Sequence, residues 1–160
     1  LETIYKLRQA RPEIKITGDM IVGFPGETEA EFEETLSLME EVRYFDLFSF
    51  VYSPRPGTKA AELSDELAKE VKLARLDRLQ KLQAVHSRIH NEAYVGSTQQ
   101  VLVEGLAKRH GQVSGRCDSG RIVNLAGSPA LIGKLVDVKI LEGYANSLLG
   151  ELTEPMRSGH

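Results

Sequence analysis

The chain has 160 residues, 41% of them hydrophobic, and carries 20 Lys and Arg against 23 Asp and Glu for a net charge of −3. That length allows one large domain or two small ones with real cores, and the slight acidity argues against a uniformly basic nucleic-acid binder. No apolar run approaches the roughly 20 residues of a membrane span, no signal-like amino terminus is present, and a single cysteine, Cys117, excludes an internal disulfide or a self-contained zinc or iron-sulfur site. These features point to a cytoplasmic protein with no membrane partner.

Residues 1–10 place Ile4 and Leu7 one turn apart ahead of Pro12, which predicts the tail of a helix. Nothing caps its beginning, as expected of a piece of a longer protein. Ile14 to Thr17 lead into a strand ending in the apolar run Met20 to Val22, which meets the loop Gly23-Phe24-Pro25-Gly26. A helix follows, because Thr28 and Glu31 form a capping box and Glu27 and Glu29 favour the positive helix end. Phe32, Leu36, Met39 and Val42 recur at helical spacing and should face a sheet. A second strand, Phe45 to Tyr52, stops at Ser53-Pro54-Arg55-Pro56-Gly57-Thr58. Strand, helix and strand make a parallel βαβ unit, so both loops are expected at one sheet edge, where ligands bind.

Ser64 is expected to open a long helix reaching about Ala93, with Asp65 and Glu66 in its first turn. Its apolar stripe is Leu67, Val71, Ala74, Leu76, Leu79, Leu82, Val85 and Ile89, and it reads as a connector between two domains. From Val95 onward the texture changes to five short runs, Gln99 to Glu104, Gln112 to Gly115, Ile122 to Leu125, Val136 to Leu141 and Ser147 to Leu152, separated by glycine-rich turns. They predict a small closed or half-closed barrel of the OB type. The expected division is 1–63 as an α/β part, 64–94 as the connecting helix and 95–153 as an all-β barrel, with 154–160 a disordered tail.

Charge is uneven. Before residue 95 there are 13 Lys and Arg against 17 Asp and Glu, whereas from 95 onward there are 7 against 6. Lys108, Arg109, His110, Arg116 and Arg121 cluster with only Asp118 among them, the local pattern that phosphate contact needs and that a solvated barrel face also shows. His86, His90 and His110 are too scattered for a metal site.

The glycine loop is not a P-loop, which needs a Lys after its last glycine where this chain has Glu27, a carboxylate that repels phosphate. Two readings remain, a tight turn without a ligand and a wall for a neutral or cationic adenosyl ligand. Arg55, on a loop stiffened by two prolines, is either a surface charge or a two-pronged clamp for a carboxylate.

Taken with their spacing, Ile-Val-Gly-Phe-Pro-Gly-Glu-Thr at 21–28 and Phe-Ser-Phe-Val-Tyr-Ser-Pro-Arg-Pro-Gly-Thr at 48–58 resemble the last βα repeats of the radical S-adenosylmethionine methylthiotransferases. Val-Leu-Val-Glu-Gly at 101–105, Arg-Ile-Val-Asn at 121–124, Ile-Gly-Lys-Leu-Val-Asp-Val-Lys-Ile at 132–140 and Asn-Ser-Leu-Leu-Gly-Glu-Leu at 146–152 are similar to that family's TRAM domain, closest to its tRNA-modifying MiaB branch. The resemblance implies a partial radical-SAM (βα) barrel followed by a five-stranded, OB-like TRAM barrel. It also implies an enzyme that thiomethylates carbon 2 of an isopentenylated adenosine beside the tRNA anticodon, using S-adenosylmethionine and two 4Fe-4S clusters.

By the same resemblance, Ile21 and Gly23 fit the strand that contacts the adenine of S-adenosylmethionine, and Tyr52, Ser53 and Arg55 the loop that closes over cofactor or substrate. Lys108, Arg109, Arg116, Arg121, Asn124 and Lys134 are candidates for contact with the tRNA anticodon stem-loop. No catalytic residue and no metal ligand is assigned: the family's cysteine motifs are absent, Cys117 matches none of them, and the chain is expected to be inactive by itself. Its other expected partners are the missing amino-terminal part of the same protein and, through an exposed strand edge, a second copy. The alternative is a non-catalytic RNA-binding module whose βα part supports the barrel.

Overall fold

The computed structural model describes residues 1–153, so the expected disorder of 154–160 lies outside the described residues. Two compact units emerge, Leu1–His86 and a second beginning at Ser87, and the division falls inside a helix.

The first unit contains α1 (Glu2–Ala10), β1 (Thr17–Val22), α2 (Glu29–Val42), β2 (Asp46–Val51), a 3-10 turn at Lys59–Glu62 and most of α3 (Lys69–Glu92). The expected βαβ unit is present: β1 and β2 pair in parallel, from Thr17 opposite Asp46 to Val22 opposite Val51. The capping box closes α2 as anticipated, with the Thr28 hydroxyl accepting the Glu31 amide at 3.2 Å and the Glu31 carboxylate accepting the Thr28 amide at 2.8 Å. Val22, Phe32, Met39 and Leu79 are fully buried and pack with Met20, Leu36, Tyr44, Leu47 and Leu76. Each such side chain contributes about 1.5–3 kcal/mol by leaving water. Because side chains alternate along a strand, the other sheet face carries Ile21, Phe48 and Phe50, which remain 58%, 59% and 54% exposed.

Helix α3 departs from expectation in two ways. It begins at Lys69 rather than Ser64. The Ser64 hydroxyl and the Asp65 carboxylate are drawn elsewhere, to Glu66 at 3.3 Å and to the Lys72 ammonium at 2.5 Å, and the first helical carbonyl is that of Ala68. Its buried stripe is also largely polar: Lys72, Arg75, Leu79, Gln83, His86, Ser87 and Asn91 are covered, whereas Val71, Val85 and Ile89 are exposed. The polar heads go under because the surrounding chain supplies partners, such as the Tyr44 carbonyl, which accepts from Gln83 at 3.0 Å.

The second unit is a closed barrel of β3 (Thr98–Leu106), β4 (Gln112–Cys117), β5 (Ile122–Ala126), β6 (Leu135–Gly143) and β7 (Leu148–Leu152), ordered β3-β4-β5-β7-β6. All neighbours are antiparallel except β5 and β7, which run parallel. The five strands expected from the sequence are all there, and β3 and β6 each carry a register shift, at Val103/Gly105 and Ile140/Glu142. Val101, Val103, Val113, Val123, Leu125, Val138, Ile140 and Leu148 fill the interior, with Cys117 beside them. Gly115 is obligatory, since a Cβ there would lie 2.1 Å from the Leu102 carbonyl oxygen.

Candidate cofactor cleft and nucleic-acid interface

In the first unit a cleft of about 520 Å³ opens beside the end of β1, between Ile21, Phe50, Val51 and Tyr52 of the strands and Ser53, Arg55, Thr58 and Ala60 of the loop after β2. Four of the five sequence-expected cofactor residues, Ile21, Tyr52, Ser53 and Arg55, therefore line one space. The Thr58 hydroxyl donates to the Arg55 carbonyl at 2.8 Å and fixes the loop. Among the described residues nothing pairs with the Arg55 guanidinium, so a rigid loop holds an uncommitted cation beside apolar walls. The Tyr52 ring meets Phe24 edge-on with centroids 5.2 Å apart, and the Lys72 ammonium lies 5.9 Å above it. The Tyr52 hydroxyl is shut away from solvent without a hydrogen-bond partner among the described residues.

Gly23, the fifth, does not line the cleft. Its φ of +71° demands glycine, and the Lys72 chain covers it so closely that a Cβ would lie 2.5 Å from Lys72 Cγ. Its amide is already committed to the Glu27 carboxylate at 3.0 Å. Glu27 in turn is neutralised by Arg75 at 2.6 Å. The glycine loop is thus folded on itself and on α3, and what β1 presents to the cleft is Ile21, two residues earlier. Arg75 and Arg78 continue outward to Glu29, and Arg78 to Glu33. The Arg78 hydrogen bond holds the Glu29 carboxyl below its ordinary range.

The barrel has its own cleft, of about 410 Å³. Its walls come from the β4–β5 face (Gln112, Ser114, Ile122 and Asn124), from the loop after β3 (Leu106, Ala107, Lys108, Arg109) and from the loop before β7 (Asn146, Ser147). Ser114 and Asn124 are opposite one another in the β4–β5 ladder. In OB-type barrels the second and third strands with the loops after the first and fourth are the oligonucleotide face, and this cleft lies there. In the loop before β7 the hydrogen bond to Glu142 raises the Tyr144 pKa, and the Arg109 charge acts in the opposite direction.

Only Lys108, Arg109 and Asn124 of the sequence-expected RNA residues line this cleft. Arg116 points outward from β4 but is engaged, with Glu104 at 3.3 Å and with the Gly120 carbonyl at 3.0 Å. Arg121 is only 8% exposed, sunk beside Tyr94 and Cys117, which removes it from a phosphate-facing surface. Lys134 is exposed but is not in the lining. Sequence reasoning did not single out Gln112, Ser114, Asn146 and Ser147. Strand order was the signal that could have found them, since it fixes which loops meet.

Residues 92–153 match the TRAM domain family. Over 152 residues, 95% of the chain, it is 99% identical to the tRNA-2-methylthio-N(6)-dimethylallyladenosine synthase of Trichlorobacter lovleyi. Over the same length it is 60% identical to the protein of that name from Pelobacter propionicus and 59% to that from Geobacter metallireducens. The chain spans about a third of these relatives, 35% of the first and 34% of the other two.

Proposed function

We propose, from the premise that this chain carries a TRAM domain and is homologous to part of the tRNA-2-methylthio-N(6)-dimethylallyladenosine synthases, that it is the carboxyl-terminal part of a tRNA methylthiotransferase. The observation that carries the reading is the 99% identity over nearly the whole chain. In it the first unit supplies part of a radical-SAM barrel and one wall of the S-adenosylmethionine and substrate pocket. The barrel supplies contact with the anticodon stem-loop. The work on tRNA is placed in the cytoplasm by the same reading, and no helix of the described residues is long and apolar enough to cross a membrane.

The cleft suits S-adenosylmethionine in its donor set. Ile21, Phe50 and Val51 offer apolar surface to a purine, and Arg55 is an uncommitted cation for the amino-acid carboxylate. Ser53 adds a hydroxyl. When bound, the cofactor supplies the methyl group and the radical chemistry; this chain's residues bind it, orient it and keep water from its apolar side. Iron-sulfur clusters find no such set: Cys117 is buried in the barrel core, and no group of three or more His, Cys, Asp and Glu among the described residues is placed to hold a metal ion. Cluster ligands therefore belong to the part of the relatives beyond the matched third, and thiomethylation belongs to the whole protein.

Arg55→Ala in the full-length protein tests the reading, with methylthiolated adenosine quantified by mass spectrometry. Loss of a charge-assisted carboxylate contact, about 1.5–3 kcal/mol, should raise the cofactor KM at least about ten-fold, with Arg116→Ala as a control that leaves it in place. An unchanged cofactor KM would remove Arg55 from the pocket.

A further inference from the structure

Building on the assignment of the barrel to RNA, we propose that its cleft is a reading pocket for one unstacked nucleotide of single-stranded RNA. Lys108 and Arg109 hold the phosphate, and the amides of Gln112, Asn124 and Asn146 meet the edge of the base.

The first support is unspent hydrogen-bonding capacity. Among the described residues no hydrogen bond or ion pair engages the side chains of Gln112, Ser114, Asn124 or Asn146, although all four line one cleft. Gln112, Ser114 and Asn124 are half-buried on the β4–β5 face, where lost solvent is not replaced by protein. Each amide presents a donor and an acceptor side by side, the pattern that pairs with a base edge and that a phosphate cannot use fully.

The second support is the sorting of charge. Among the described residues no Asp or Glu lines the cleft, its two cations sit together on the loop after β3, and the neighbouring Arg116 is already committed to Glu104. A surface built only to follow a phosphate backbone would spread cations along its length. Here they stand at one end of a neutral floor. Leu106, 67% exposed, and Ile122 add apolar surface for the face of a base. In duplex RNA the base faces are stacked, the pairing edges are taken and the major groove is too deep and narrow for side chains to read, so the fit is to a loop nucleotide rather than a duplex.

The test uses the 160-residue chain and two fluorescent RNAs, a hairpin with an open single-stranded loop and a blunt duplex of the same stem, with affinity measured by anisotropy over a salt series. Asn124→Ala with Asn146→Ala should weaken hairpin binding at least about five-fold, at unchanged salt slope, and leave the duplex unaffected. Lys108→Ala with Arg109→Ala should weaken both and flatten the slope by about 0.7 per lost contact. If the asparagine pair changes nothing, or weakens both RNAs equally, while the cation pair still flattens the slope, the nucleotide pocket is wrong and RNA contact stands. If the unaltered chain binds neither RNA, both readings fall. Should Asn124→Ala lower the melting temperature, Asn146→Ala alone, on an exposed loop, carries the same comparison.

Discussion

Arg75 on α3 donates to the Glu27 carboxylate at 2.6 Å and to the Glu27 carbonyl at 2.9 Å, and the same carboxylate oxygen accepts the Gly23 amide at 3.0 Å. One acidic side chain thereby ties the turn after β1 to a helix 48 residues later. Both partners are nearly buried, with side chains 6% and 13% exposed, so the attraction is little screened.

Arg75→Met should therefore cost about 3–5 kcal/mol of stability in the first unit, because it leaves a carboxylate dehydrated and uncompensated. Urea unfolding followed by circular dichroism measures it. Adding Glu27→Gln should recover most of the loss, and a single-variant cost below about 1 kcal/mol would mean that water already shares the site.

In the barrel, Gly115→Ala and Gly105→Ala make a matched pair. The first would drive a methyl to 2.1 Å from the Leu102 carbonyl oxygen, whereas the second meets nothing within 4 Å. Gly115→Ala should prevent a cooperative thermal transition of the second unit, while Gly105→Ala should change stability by no more than about 1 kcal/mol. Equal effects would contradict the close strand approach at Gly115.

The capping box gives a pH signature. Glu31 is held below the ordinary carboxyl range, first by the Thr28 amide and then by the Thr28 hydroxyl. A carboxyl depressed in the folded state contributes stability that is present above its unfolded pKa and lost as pH falls through the folded value. The melting-temperature gap between the native chain and Glu31→Ala should be open at pH 7 and narrow below about pH 4.3, the ordinary glutamate value. A gap that persists undiminished in acid would show that the cap does not depend on the charge.

The capping box was legible in the sequence because all its parts lie within four residues, and the barrel because period-2 alternation and glycine turns are also local signals. The buried stripe of α3 was not. Arg75 and Gln83 look like solvent-facing residues until Glu27 and Tyr44, 48 and 39 residues away, supply their partners. The packing of Gly23 was hidden for the same reason: its freedom serves the close approach of Lys72, a contact no local pattern announces. Arg121 and Lys108 look alike in sequence, and only the closure of the barrel separates the buried one from the exposed one.

The measurement that bears most directly on the barrel as an RNA interface is amide chemical-shift mapping of the chain during titration with an anticodon stem-loop RNA. Shifts should concentrate at 106–114, 122–124 and 146–147, the strands and loops around Lys108, Arg109 and Asn124. Shifts confined to the opposite strands around Leu102 and Leu135, or no shifts at saturating RNA, would contradict it.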